Sequence, residues 1–170
     1  MYVTPQQLAD GSDSLKELSE LLDVPADLLR ATLDEADRTG WDAGEIAAAD
    51  AAVATIEQQC VAASGEIDAR LVQRGYQVPL DAGQFQILAV WGRSIARYRL
   101  HPQRDRTSEE TGRIERDYNA AVRDLNAVAK GELSLGAGDP LVVNQVTDNA
   151  GAVRVQSGDR KFSRRSLGSL

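Results

Sequence analysis

The sequence predicts a mainly α protein: a small helical bundle with one long central helix, followed by an extended C-terminal arm with short β-prone pieces. Three observations carry this. Apolar residues recur at steps of three and four over residues 46–67, 85–98 and 114–128. Alanine is abundant and aromatics make up only 5% of the chain, which favours closely packed helices over a β-sandwich. After Gly131 the helical period disappears, and six glycines and one proline are spread through residues 131–170.

The elements follow in chain order. Thr4 caps a short turn that has Pro5 at its first helical position. Gly11-Ser12-Asp13 interrupts it, and Leu15, Leu18, Leu21 and Leu22 then form a helical stripe over residues 14–23. Pro25 opens a further helix with Leu28, Leu29 and Leu33 inward, expected to end near Gly40 with Asp34, Glu35 and Asp37 on a solvated face. Residues 43–74 read as the long helix. Its seam of Ile46, Ala49, Val53, Ile56, Cys60, Ala63 and Ile67 is heptad-like and rich in small residues. Gly65 weakens it by about 1 kcal/mol relative to alanine, and Gly75 stops it. Asp81 reads as the cap of a helix over about residues 82–100, with Phe85, Leu88, Trp91, Ile95 and Tyr98 on its apolar face. Thr107 or Ser108 caps the last helix, which carries Ile114, Tyr118, Val122, Leu125 and Val128 and closes at Lys130-Gly131.

These assignments give a helical domain over residues 1–131, with an acidic helical extension at 10–50, and an arm over 132–170. The arm retains the β-prone pieces Leu141-Val142-Val143, Val153-Arg154-Val155 and Lys161-Phe162-Ser163. It is too polar and glycine-rich to pack a core alone, so it is either disordered by itself or ordered by a partner.

Charge is uneven. Residues 1–50 hold 12 acidic and 3 basic side chains, whereas residues 151–170 hold five bases against Asp159, within a net charge of -7. An acidic chain is a poor nucleic-acid binder as a whole, because phosphate neutralisation needs a cationic surface. It is also a poor ligand for anionic membranes. No stretch approaches the roughly 20 apolar residues of a membrane span. The start lacks the basic region and apolar run of a secretory signal.

Catalytic and metal signals are sparse, and neither an enzymatic activity nor a cofactor is expected. His101 is the only histidine and reads as a surface or capping residue at a helix end. Cys60, the only cysteine, lies on an apolar seam and reads as a buried structural thiol. One histidine and one cysteine cannot build a His/Cys zinc site. Asp10-Gly11-Ser12-Asp13-Ser14 misplaces the glycine of a calcium loop and has Leu21 where a bidentate glutamate is needed. Gly131, Gly136 and Gly138 lack phosphate-loop spacing.

The tip of the arm is the candidate binding element. Arg160, Lys161, Arg164 and Arg165 alternate with the apolar anchors Phe162 and Leu167, ahead of Leu170. Such a segment adds a strand to a partner's sheet edge, fills pockets with its anchors and meets carboxylates with its arginines. Two other readings stand beside this one: a basic tail on a small regulatory or nucleic-acid-binding protein, and a solvated terminus.

Four stretches resemble a family of small proteins of Mu-like phages and prophages. They are Met1-Tyr2-Val3-Thr4-Pro5-Gln6-Gln7-Leu8; Glu66-Ile67-Asp68-Ala69-Arg70-Leu71 with Arg74-Gly75-Tyr76-Gln77-Val78-Pro79-Leu80; Ile95-Ala96-Arg97-Tyr98-Arg99-Leu100-His101; and Lys130-Gly131-Glu132-Leu133-Ser134-Leu135-Gly136 with Arg160 to Leu167. Their order covers the chain except about residues 10–50, an acidic, leucine-rich region longer than the family's. The resemblance implies a virion protein of the head–tail junction, made in the bacterial cytoplasm. It would be a connector or head-completion ring of about twelve copies, closed by a heterologous contact. The arm would dock on the portal, and a tail terminator or other neck protein would bind the opposite side. DNA would pass through the lumen without specific binding. An acidic lumen supplied by residues 1–50 would repel DNA over about 8 Å at physiological salt, and solubility alone accounts for the same charge equally well.

Overall fold

A computed structural model describes residues 1–101, 109–136 and 139–140. Among the described residues there are six helices: α1 (Pro5–Leu8), α2 (Ser12–Leu22), α3 (Ala26–Leu33), α4 (Ala43–Arg74), α5 (Gln86–Leu100) and α6 (Glu109–Lys130). Among the described residues there is no strand. The three β-prone pieces and the caps expected at Thr107 or Ser108 lie outside them.

Helix α4 is the axis, and α1, α3, α5 and α6 all pack on it. Its predicted seam faces inward: Ala49, Ile56, Cys60, Ala63 and Ile67 are buried, and Leu71 continues the row. Each large aliphatic side chain so buried contributes about 1.5–3 kcal/mol of hydrophobic stabilisation before the entropy of ordering is counted. The start of α4 is fixed by a reciprocal cap. Asp42 accepts from the Gly44 and Glu45 amides, while the Glu45 side chain accepts from the Asp42 amide. The same device opens α1 through Thr4 and Gln7, with Pro5 at the first turn as expected.

Several helices end on a left-handed residue followed by a backward hydrogen bond. Tyr76 N–H donates to Leu71 across Gly75, and Glu132 N–H to Ala127 across Gly131. Asp23 and Glu35 take the same left-handed conformation without being glycine. Glu35 thereby turns the chain after Leu33, so α3 stops well before the expected Gly40. Asp34, Glu35 and Asp37 are exposed, but beyond the helix.

The start of α5 also differs from expectation. Asp81 caps a separate turn, accepting from Gly83 N–H at 2.9 Å. The helix begins only at Gln86, with Phe85 at its cap and no side-chain bond there. Val78–Pro79 is a cis peptide bond.

The N-terminal segment closes the bundle. Tyr2 and Val3 are buried although Met1 is exposed. Val3 lies against Gly92 of α5, where a Cβ would meet its Cγ1 at 3.2 Å. That close approach explains the glycine.

The face of α4 opposite its seam is unusual. Ala47, Ala51, Ala54, Gln58, Val61, Gly65 and Val72 are all exposed, and no charged residue interrupts them. Val61 and Val72 are 56% and 55% exposed. This uncharged row runs about 38 Å along the helix. Among the described residues, no helix is long and apolar enough to cross a membrane.

Candidate functional site

The arm residues singled out from the sequence, Arg160, Lys161, Phe162, Arg164, Arg165, Leu167 and Leu170, lie outside the described residues. The structure does describe where the arm begins. Instead of projecting from α6, residues 131–136 and 139–140 turn back onto the end of α4.

Arg74, the last residue of α4, makes the central contact. Its Nη2 donates to Asp139 Oδ1 at 3.0 Å. The two side chains are only 7% and 0% exposed. A buried ion pair of this kind is held by geometry, because its desolvation offsets much of its attraction. Glycine supplies the room. Gly131 has φ of 81°, and a Cβ there would collide with the Arg74 guanidinium. At Gly75 it is the φ of 101° that favours glycine, since a Cβ there would make only an ordinary contact, 3.5 Å, with the Pro140 ring. Gly136 has φ of 100°, and its carbonyl accepts from Asp139 N–H at 3.1 Å.

Tyr76 completes the contact. Leu135 N–H donates to its hydroxyl at 3.4 Å, and the Leu135 side chain packs on the core. Burial raises the Tyr76 phenol above its ordinary value; the Asp139 carboxylate adds to this, while the Leu135 N–H and the Arg74 charge oppose it.

Two further polar nodes tie the bundle together. Tyr2 N–H donates to Ser64 Oγ at 3.0 Å, the Tyr2 hydroxyl meets Asp68, and Leu80 N–H donates to that hydroxyl at 3.0 Å. Burial and the Asp68 carboxylate push the Tyr2 phenol up to about 12.

The other node joins α2 to the end of α5. Glu17 contacts Arg97, and its Oε1 lies 3.1 Å from His101 Nε2. His101 Nδ1 meets the Arg97 carbonyl at 2.7 Å. His101 does follow α5, as expected, but its side chain is buried against Glu17 rather than lying on the surface. Burial alone would raise the Glu17 carboxyl. The bonds and charges of His101 and Arg97 more than offset this and hold it below its ordinary 4.5. Glu66 links α4 to α5 through Arg99 at 3.0 Å. Tyr98 of α5 stacks on Tyr118 of α6 with ring centres 4.0 Å apart.

A half-open cleft of about 420 Å³ lies where α1, α5 and α6 meet. Val3, Val90 and Ile114 are apolar in it, and Arg93, Asp10 and Asp117 bring charge of both signs. It contains neither histidine nor cysteine. Among the described residues no cluster of His, Cys, Asp or Glu could hold a metal ion. Cys60 is buried, and its thiol is pushed up to about 11 by that burial and by Glu57, which makes it a poor nucleophile.

Sequence reading singled out the stretches around Arg74-Gly75-Tyr76 and Lys130 to Gly136 separately. The fold brings them together, with Asp139 as the counter-ion that the reading missed. The Glu17–His101 contact was missed too, because its partners are 84 positions apart and Glu17 belongs to no recognisable motif.

Residues 2–157 match the family model described as Bacteriophage Mu, Gp36. No curated protein and no solved structure matches the chain. With nearly its whole length accounted for by that model, the chain belongs to the bacteriophage Mu Gp36 family.

Proposed function

We propose that this protein is a structural component of the virion, a head–tail connector subunit that forms a ring between portal and tail and docks on the portal through its C-terminal arm. The observation that carries the proposal is the combination of family membership with a helical bundle whose C-terminal segment is anchored at the end of its longest helix. The arm residues Arg160, Lys161, Phe162, Arg164, Arg165, Leu167 and Leu170 supply cations and apolar anchors suited to a strand-type contact.

The uncharged outer face of α4 supports contact between subunits. A helix meant for water carries charges on that face, whereas small residues let another helix approach closely. The acidic residues 1–50 suit a surface that passing DNA does not adhere to. Several arms on one ring make attachment avid even when each arm binds weakly.

The test is a pull-down with the cognate portal protein, using the full chain and a chain lacking residues 157–170. The full chain is expected to bind and the shortened one to remain folded without binding. Unchanged binding by the shortened chain rejects arm docking. Native mass spectrometry with and without portal then reports the ring. Binding to duplex DNA that falls steeply with salt would instead favour a regulatory or nucleic-acid-binding role for the basic tail.

A further inference from the structure

We infer that residues 131–136 and 139–140 act as a clasp that fixes where the C-terminal arm leaves the bundle, so that arm docking depends on Arg74, Gly131 and Asp139. This rests on the reading of residues 160–170 as a docking arm. The three positions are remote in sequence from the docking residues, so they would act as positioning residues rather than as contacts.

The contacts at 131–136 and 139–140 are too specific for a passive connection. A chain leaving α6 needs no carboxylate buried to 0% exposure, yet Asp139 is placed there beside Arg74. Three left-handed glycines, Gly75, Gly131 and Gly136, form the joints. At Gly131 any side chain would displace the Arg74 guanidinium. Leu135 is held by both its amide and its side chain. These contacts attach residue 140 to residues 74–76, at the end of α4, as well as to α6.

The consequence for docking follows from tether length. Counted along the chain, Arg160 is 20 residues from Pro140 and 30 from Lys130. The effective concentration of a tethered group falls roughly as the -3/2 power of tether length, so opening the clasp lowers it about 1.8-fold per arm. The factor compounds with each additional arm engaged, reaching about 20-fold for six arms on one ring.

The experiment compares full-length wild type with Gly131→Ala, Arg74→Met and the double variant Arg74→Met/Asp139→Leu. Gly131→Ala opens the clasp sterically without removing a charge. Arg74→Met removes the guanidinium that donates to Asp139 Oδ1 and so weakens the hold on the clasp. The double variant replaces the ion pair with apolar groups and is expected to close again. Amide hydrogen exchange at Leu135 and Asp139 reports the clasp, circular dichroism reports the helices, and apparent affinity for the portal reports docking. Both single variants are expected to exchange at least about tenfold faster there, with α-helical signal retained. Their affinity should fall by the compounded factor, and the double variant should restore both readouts. A synthetic peptide of residues 157–170 should displace the two single variants from the portal at lower concentration than it displaces wild type or the double variant.

Faster exchange with unchanged portal affinity overturns the inference while leaving arm docking intact. Unchanged exchange in Gly131→Ala overturns the clasp itself. Absence of portal binding by wild type overturns the docking reading and, with it, this inference.

Discussion

Replacing Glu17 by glutamine removes the charge that joins α2 to the end of α5. The carboxylate is 6% exposed, beside Arg97 at 20% and His101 at 2%. Breaking a fully buried ion pair from one side costs about 3–5 kcal/mol. Arg97 keeps some access to water and glutamine keeps one acceptor oxygen, so about 2–3 kcal/mol is expected here. For a helical domain of this size each kcal/mol lowers Tm by about 3–4 °C, giving a fall of roughly 6–12 °C at pH 7.

The pH dependence supplies a sharper check. The Glu17 carboxyl is held below its ordinary 4.5 in the folded state. Its stabilisation is therefore present above that value and is lost as pH falls through the lower folded one. The Tm difference between wild type and Glu17→Gln should be full near neutrality and shrink below about pH 4.5. Thermal unfolding followed by circular dichroism at neutral and acidic pH measures it. A difference below about 2 °C at pH 7, or one that does not change in acid, refutes the reasoning.

Four other outcomes follow from the same structure. Tyr2→Phe leaves Asp68 and the Leu80 amide without the shared hydroxyl and should lower stability by about 1–2 kcal/mol in urea denaturation. In wild type, the Tyr2 phenol should stay protonated beyond ordinary tyrosine values in a spectrophotometric titration, because it is pushed up to about 12. Cys60 should resist thiol reagents at pH 8 in the folded protein and react promptly in denaturant, since its thiol is buried and raised to about 11. Gly65→Ala should raise stability by about 0.5–1 kcal/mol, because the position is in mid-helix and a Cβ there meets nothing within 4 Å.

The helices were legible in the sequence where period and punctuation agree. Residues 43–74 have a capping box at one end, a glycine at the other and an apolar seam between, and α4 has those bounds. Agreement was poorer where one signal had two uses. Asp81 carries the chemistry of a helix cap, but that chemistry serves equally well in a tight turn, and the turn won. Glu35 ended α3 through a left-handed conformation that its residue type does not advertise.

The arm root was half legible. The glycines at 75 and 131 announced helix ends, but nothing local signals that Asp139 returns to Arg74. Long-range ion pairs leave no periodic trace. His101 caps the end of α5, one of the two roles expected for it, but it is not on the surface: its burial depends on Glu17, supplied by a helix that the sequence presents only as a leucine stripe.

The contacts of Tyr2 and Val3 have a consequence for folding. Their partners Ser64, Asp68, Leu80 and Gly92 come sixty to ninety positions later in the sequence. Order at Tyr2 and Val3 therefore waits on α4 and α5, since neither residue has a surface to settle on until both helices are in place. The bundle closes through its least local contacts, which are the slowest kind to form.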